Sequence, residues 1–393
     1  MKRSKVFIFF IVSMLTVSCQ KDDLHPISGC HYNFTDSSSS HPKNNVFTAL
    51  VNKYKNEGYP SFVLCVYDSI NGMWLGSAGK ACLETGQPMS ICNLQHSASV
   101  SKIYISTCIL RLYEQGKLDI NALARNYLPL GLPDISNINE VTVKNLLNHT
   151  SGIYDFNNNP ELYVDAINNP FAVKSWEDHL NKYVKGKAAV FPAGTSVQYS
   201  NTNYLLLGLI IEKVTDMSLG DAMNELLIIL YGLTETYYKS SPGYPNISGI
   251  PNSYYEHNDG LLQNCTDIQL HFADISMGHE GIIASPHDYV LFLNKLLSNQ
   301  ILQPSTLAIM EEFNSAPQTT DKYGLGLFSF QTPSGTIIGH SGGGFGTMTF
   351  LFRLPSKNRT VFFATNMGSI FKSSLSDKFY KEVFYDIIAS TNY

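Results

Sequence analysis

Residues 95–110 read Gln95-His96-Ser97-Ala98-Ser99-Val100-Ser101-Lys102-Ile103-Tyr104-Ile105-Ser106-Thr107-Cys108-Ile109-Leu110. A loop hands over to an apolar helix, with Ser99 at its start and Lys102 three residues on. Positions i and i+3 share a helix face, which brings hydroxyl and amine within hydrogen-bond reach. The helix N-terminus favours negative charge developing on the serine oxygen. A lysine in a dry, cationic pocket has its pKa lowered enough to accept the serine proton near neutrality. Alone, S-x-x-K describes many solvated helix pairs, so its meaning depends on what accompanies it.

A rival serine lies in Gly339-His340-Ser341-Gly342-Gly343, which fits the nucleophile-elbow pattern G-x-S-x-G. An elbow requires a helix directly after the serine and a histidine downstream. The continuation Gly344-Phe345-Gly346-Thr347-Met348-Thr349-Phe350-Leu351-Phe352 reads instead as a loop entering a strand, and no histidine follows His340. Ser341 is therefore not the expected nucleophile. A third stretch, Phe191-Pro192-Ala193-Gly194, forces a turn before Tyr199-Ser200-Asn201 opens an apolar helix. By itself that is a helix cap with an anchoring tyrosine.

Taken together, the three stretches place S-x-x-K, Y-x-N and H-x-G in order along the chain. With them the sequence resembles the serine β-lactamase and penicillin-binding-protein superfamily, in the class C β-lactamase-like branch of D-Ala-D-Ala carboxypeptidases, D-aminopeptidases, esterases and acyltransferases. The likeness runs from about residue 46 to 390. It includes Glu114-Gln115-Gly116-Lys117-Leu118-Asp119 after the active-site helix, Leu146-Leu147-Asn148-His149-Thr150-Ser151-Gly152, similar to an L-L-x-H-T-S-G signature, and Tyr323-Gly324-Leu325-Gly326-Leu327 before the third motif. The resemblance implies that Ser99 forms an acyl-enzyme and that Lys102 takes or shuttles its proton. Tyr199, held between Lys102 and the substrate, is then general acid to the leaving group and base for the acceptor. It further implies that Asn201 binds substrate or orients Lys102, and that His340, Ser341 and Gly342 line the substrate site on the sheet's edge strand. The oxyanion hole is implied to be the backbone N–H groups of Ser99 and Gly343. His149 is expected to tie a loop to the nucleophile's helix. The bland reading of His340 is a strand-end histidine contributing shape alone.

The expected fold is α/β of the β-lactamase/transpeptidase type: an antiparallel sheet from both chain ends, flanked by helices, with a mostly helical insertion. Helical spacing of Val46, Leu50, Val51 and Tyr54 is followed by two strands, 61–67 and 72–79, around an Asn71-Gly72 turn. Residues 99–298 are mostly helical with long polar loops at 154–169 and 240–257. Strands return at 324–331, 336–339, 347–353 and 361–365, before an amphipathic helix from about 373 to 388. Tyr154, Phe156, Tyr254 and Tyr255 lie in loops placed to rim a pocket.

The chain has 393 residues, 44% apolar and 15% charged, with a net charge of −5. That suits a sizeable core and gives no basis for nucleic-acid binding. Residues 1–18 read as a signal peptide, with a basic start and a short apolar run ending in Leu15-Thr16-Val17-Ser18-Cys19, which resembles a bacterial lipobox. Cys19 is the expected lipidation site and the membrane contact. Gln20-Lys21-Asp22-Asp23 looks like a surface-targeting tag, so the expectation is an exported outer-membrane lipoprotein at the cell surface. Residues 19–44 form a flexible tether and 45–393 the hydrolase domain. The other cysteines show no metal spacing; Cys65 and Cys108 read as core thiols, and no bridge is assigned. Asp155 and Glu177-Asp178-His179 read as solvated surface. No metal or cofactor is expected.

His340 stands where β-lactamases and peptidases that cut before a C-terminal carboxylate usually keep a lysine. An imidazole is a weaker carboxylate clamp than an ammonium. The expected substrate is therefore a small ester, amide or peptide, with hydrolysis or acyl transfer to an alcohol as the outcome. The alternatives are a D-Ala-D-Ala carboxypeptidase or weak β-lactamase, and a silent lipoprotein that binds peptidoglycan fragments or β-lactams.

Overall fold

Residues 61–82 form a hairpin of two strands, β1 (Ser61–Asp68) and β2 (Gly72–Cys82). Phe62 through Val66 is an unbroken buried run, because β1 is central and packed on both faces. The computed structural model describes residues 38–169, 175–238, 249–257, 260–275, 277–315 and 322–393. The sheet continues through β3 (Gln87–Pro88), β4 (Asn314–Ser315), β5 (Lys322–Tyr323), β6 (Phe328–Thr332), β7 (Gly335–Gly343), β8 (Met348–Leu354) and β9 (Arg359–Thr365). Its nine strands lie in the order β3-β2-β1-β9-β8-β7-β6-β5-β4, with every neighbour antiparallel. Both chain ends thus build one sheet, as expected.

One face is covered by α1 (Asn44–Asn56) and the C-terminal helical segment Ser374–Ser390, which passes through a π turn at Phe379–Val383. The buried stripe of α1 is Phe47, Val51 and Tyr54, while Val46 faces solvent. The other face carries α2 (Ser101–Glu114), α3 (Asn201–Thr215) and α4 (Pro286–Leu296). Eleven residues each of α2 and α3 are buried, so both are core helices, and Ser101, Lys102, Ser106, Thr107, Asn201, Thr202 and Asn203 are each hydrogen-bonded there. The stacked pair Tyr289–Phe362, centroids 4.4 Å apart, pins α4 to β9.

Four expectations change. The segment 154–169 is not a loop: Asn159 caps a helix, Pro160–Asn168, that buries Leu162 and Ala166, with proline at the position where its missing N–H costs nothing. The strand expected from 324 begins at Phe328. The third-motif strand β7 is interior rather than an edge, because β4, β5 and β6 lie beyond it. Pairing with β6 ends at Gly339, however, so residues 340–343 pair with β8 alone. The tether ends sooner than expected, since Ser38 Oγ bonds the Leu75 backbone on both sides and His41 is buried. The signal segment, Cys19 and the tether up to 37 lie outside the described residues.

Candidate active site

Ala98, just before Ser99, is buried at φ +43°, a left-handed conformation that costs a non-glycine residue about 1–2 kcal/mol and persists where its surroundings fix it. Here they do. Ser97 N–H donates to Ile282 O at 3.0 Å, Thr349 Oγ1 donates to Ser97 O at 3.0 Å, and Ser101 Oγ accepts from Ile282 N–H at 3.1 Å. The turn Ala98–Val100 then feeds α2 and leaves Ser99 half-buried at the helix start. Gly342 belongs to the same arrangement. A Cβ there would lie 2.4 Å from Ser97 O and 2.5 Å from Thr349 Oγ1, so only glycine lets β7 approach the turn this closely.

Lys102 is fully buried on α2. Its Nζ lies 3.0 Å from Ser99 Oγ, 2.8 Å from Asn201 Oδ1 and 2.7 Å from His279 O. Burial pushes its pKa down to about 7, against the opposing charges of Glu280 and Asp155, so near neutrality a large share is free amine. A free amine keeps two N–H groups and one lone pair. The Asn201 and His279 oxygens only accept, so they take the two N–H groups and the lone pair is left facing Ser99 Oγ–H. The site is thereby built to hold a base.

Asn201 presents its oxygen to Lys102 because its Nδ2 donates to both oxygens of Asp155, at 3.3 and 3.1 Å. Its own N–H donates to the same carboxylate at 3.1 Å. Asp155 is buried, not solvated as expected, and burial raises its carboxyl above the usual carboxylate range against these hydrogen bonds and Lys102. Glu177 and Asp178 are exposed as expected, while His179 is buried. Nothing in the residue types around Asp155 separated it from an exposed aspartate.

Tyr199 is positioned differently from expectation. Lys102 Nζ sits over its ring, 5.0 Å from the centroid, rather than against its hydroxyl, and Tyr199 Oη is buried without a hydrogen bond of normal geometry. Burial raises its pKa well above the usual phenol value, with Ser99 the one group opposing this by hydrogen bonding. The ring is held by His149 at 4.4 Å. His149 Nδ1 accepts from Ser200 N–H at 3.2 Å and meets Asn203 Nδ2 at 3.3 Å. His149 therefore fastens its loop to the Tyr199–Asn203 segment, not to the nucleophile's helix.

His340 is buried, and its Nδ1–H donates to Ser341 O, which leaves Nε2 as a buried acceptor without a partner. Burial, then Lys102, push its pKa down to about 3, so the imidazole is neutral. Register separates the neighbours on β7. His340 pairs with Leu351 of the helix-facing core, whereas Ser341 pairs with Phe350 of the opposite core. His340 and Gly342 share the face of Ser99; the Ser341 side chain lies on the other. Gly343 returns to the site through its backbone, lining a narrow cleft with Ser99, Asn201 and Glu280. The aromatic rings of that cleft are Phe272 and Phe345; Phe156 and Tyr254, expected at the rim, are core. Among the described residues no group of three or more His, Cys, Asp or Glu could hold a metal.

The family model described as Beta-lactamase matches residues 46–376. Penicillin-binding protein 4* of Bacillus subtilis (strain 168) is 26% identical over 305 residues, 74% of this chain and 64% of that protein. A Beta-lactamase of Providencia stuartii is 30% identical over 184 residues, 47% of this chain and 44% of that protein. The chain thus spans less than two thirds of the length of either relative. Among solved structures, D-amino acid amidase from Ochrobactrum anthropi SV3, complexed with L-phenylalanine amide, superposes with a TM-score of 0.73 at 22% identity, covering 88% of this chain and 97% of that one. A penicillin binding protein from Bacillus halodurans gives 0.70 at 19% identity, covering 87% and 98%. Fold, motif order and the extent of the match agree: this chain belongs to the beta-lactamase family.

Proposed function

We propose that the protein is a serine acyl-transfer enzyme that works through an acyl-enzyme on Ser99. The observation that carries this is the setting of Lys102 Nζ, between two acceptor oxygens and the Ser99 hydroxyl, with its pKa lowered to about 7. Lys102 takes the Ser99 proton as Oγ attacks the carbonyl carbon. The Ser99 and Gly343 N–H groups receive the oxyanion. The C–N or C–O bond to the leaving group breaks as Tyr199, kept as a neutral phenol, supplies a proton. Water or an alcohol then takes the acyl group by the reverse path.

A small ester, amide or peptide suits this site better than a β-lactam or a peptide ending in a free carboxylate. A neutral His340 offers no counter-charge to a carboxylate, and no Arg or Lys is among the described residues of the cleft. The amidase neighbour, complexed with an amino-acid amide, supports the same direction. The carboxypeptidase and weak β-lactamase readings are the second choice, and the silent binding protein the third. We further propose that the domain is exported as a lipoprotein anchored through Cys19. The disulfide at Cys92 supports export, since such bonds persist in oxidising compartments.

The test is labelling with a fluorescent fluorophosphonate, read by intact mass. Wild type and Ser341→Ala are expected to gain one adduct, and Ser99→Ala none. Labelling that survives Ser99→Ala overturns the mechanism. A parallel incubation with fluorescent penicillin is expected to give little or no adduct.

A further inference from the structure

The proposed mechanism gives the oxyanion to Gly343 N–H, and Gly343 stands directly before the turn Gly344-Phe345-Gly346-Thr347 that joins β7 to β8. All four residues of the turn are buried, so its backbone groups must find partners inside the protein. Gly344 N–H donates across the turn to Thr347 O at 2.9 Å. The other contacts come from outside the hairpin. Gly344 O accepts from Ser369 and Ile370 N–H at 3.0 and 3.3 Å, and Phe345 O accepts from the Cys265 thiol at 3.5 Å. Gly346 N–H donates to Gln269 Oε1 at 2.9 Å.

Gln269 lies in the helix Thr266–Ile275 and is 1% exposed. Its oxygen also presses on the start of the turn, since a Cβ on Gly344 would lie 2.8 Å from it. One side-chain oxygen therefore fixes the turn at Gly346 and abuts the residue that follows Gly343. Phe272, three residues further along the helix, keeps its ring 5.1 Å from Phe345 and lines the cleft beside Ser99. Without the Gln269 oxygen, Gly346 N–H would be buried without its acceptor. A four-residue turn has little slack, so its relaxation carries the Gly343 peptide with it. We infer that Gln269 is the positioning residue of the oxyanion site, acting through the Gly344–Gly346 backbone to aim Gly343 N–H. This rests on the acyl-transfer reading above and on its use of Gly343.

The experiment compares a phosphonofluoridate carrying P=O with its P=S counterpart, by rates of adduct formation read by intact mass. In both, Ser99 Oγ bonds to phosphorus, the P–F bond breaks, fluoride leaves and the serine proton passes to Lys102. Only oxygen fits donors aimed at an oxyanion, because sulfur is larger and a weaker acceptor. The P=O to P=S rate ratio thus reads the oxyanion site, and the folded fraction and the base cancel from it. The reference is the same ratio for hydroxide in water. Wild type is expected to exceed it about 10²-fold. Gln269→Leu, which removes the acceptor, should lower the wild-type ratio about tenfold. Gln269→Asn, which draws the oxygen back by one methylene, should lower it by less and decides the matter if the leucine variant does not fold. Phe363→Ala, in the opposite core, should leave it within twofold. A ratio that neither Gln269 variant moves while Ser99 still labels overturns the Gln269 assignment and leaves acyl transfer standing, and so does an equal fall in Phe363→Ala. A wild-type ratio no higher than that of hydroxide overturns the role of Gly343 and this inference with it, leaving Ser99 as nucleophile. No labelling of wild type overturns everything built on Ser99.

Discussion

On one face of the nine-stranded sheet, Phe62, Phe350, Phe363, Phe379 and Phe384 pack ring against ring beneath α1 and the C-terminal helix. On the other face, Lys102, Asn201, Asp155, His149 and His340 are buried just as deeply but each is polar. The first face contributes apolar area removed from water and close packing. The second holds groups whose burial is unfavourable unless partnered, and it retains a lysine with its pKa pushed down to about 7 and a histidine pushed to about 3. Both faces carry an apolar core, the larger on the helix-facing side, and that side also holds the polar groups of the site. Adjacent residues of β7 make the division visible: Ser341 faces the aromatic cluster, His340 and Gly342 face Ser99.

Substitutions should split along the same line. The largest effect is expected at Lys102→Met. Acylation by a fluorophosphonate should slow about 10²–10⁴-fold, while denaturant unfolding shifts by no more than about 1–2 kcal/mol. Relief of the buried amine there offsets the two oxygens left without a donor. Phe363→Ala should do the reverse, removing about 3–5 kcal/mol of stability in the same unfolding assay, with kcat/KM of the folded protein within about twofold of wild type. Comparable activity losses from both substitutions would erase the distinction between the faces.

The smallest effect is one of pH. If Lys102 is the base, kcat/KM should fall about tenfold per unit below its pKa near 7, because protonation removes the lone pair. In the unfolded chain the same lysine titrates near about 10.4. Between those values the unfolded state binds more protons, so the lysine's contribution to stability should rise from about pH 7 to about pH 10. Chemical unfolding across that range measures it. In Phe363→Ala the acid limb should stay where it is, which sharpens the comparison further.

Much of this arrangement was legible in the residues. The i, i+3 spacing of Ser99 and Lys102 implies contact on any helix, and they meet at 3.0 Å. The Asn71-Gly72 turn between two apolar runs implies a hairpin, and the missing histidine after His340 removed Ser341 as nucleophile. The partners were less legible. Asp155 and Glu280 are acidic residues in polar local sequence, and their burial depends on what folds over them from elsewhere in the chain. The helix at Pro160–Asn168 was hidden because only Leu162 and Ala166 of its side chains are buried, too few to mark a period.

The sequence by itself determined the family, the order of the motifs, the two-ended sheet and the meeting of Ser99 with Lys102, since each follows from local spacing or from chain order. The tertiary structure alone decided which way the Lys102 lone pair points, that His340 is neutral, that Ser341 turns away and that Glu280 enters the cleft. Those outcomes depend on desolvation and on acceptors delivered from residues 155, 201 and 279, which meet only once the chain has folded.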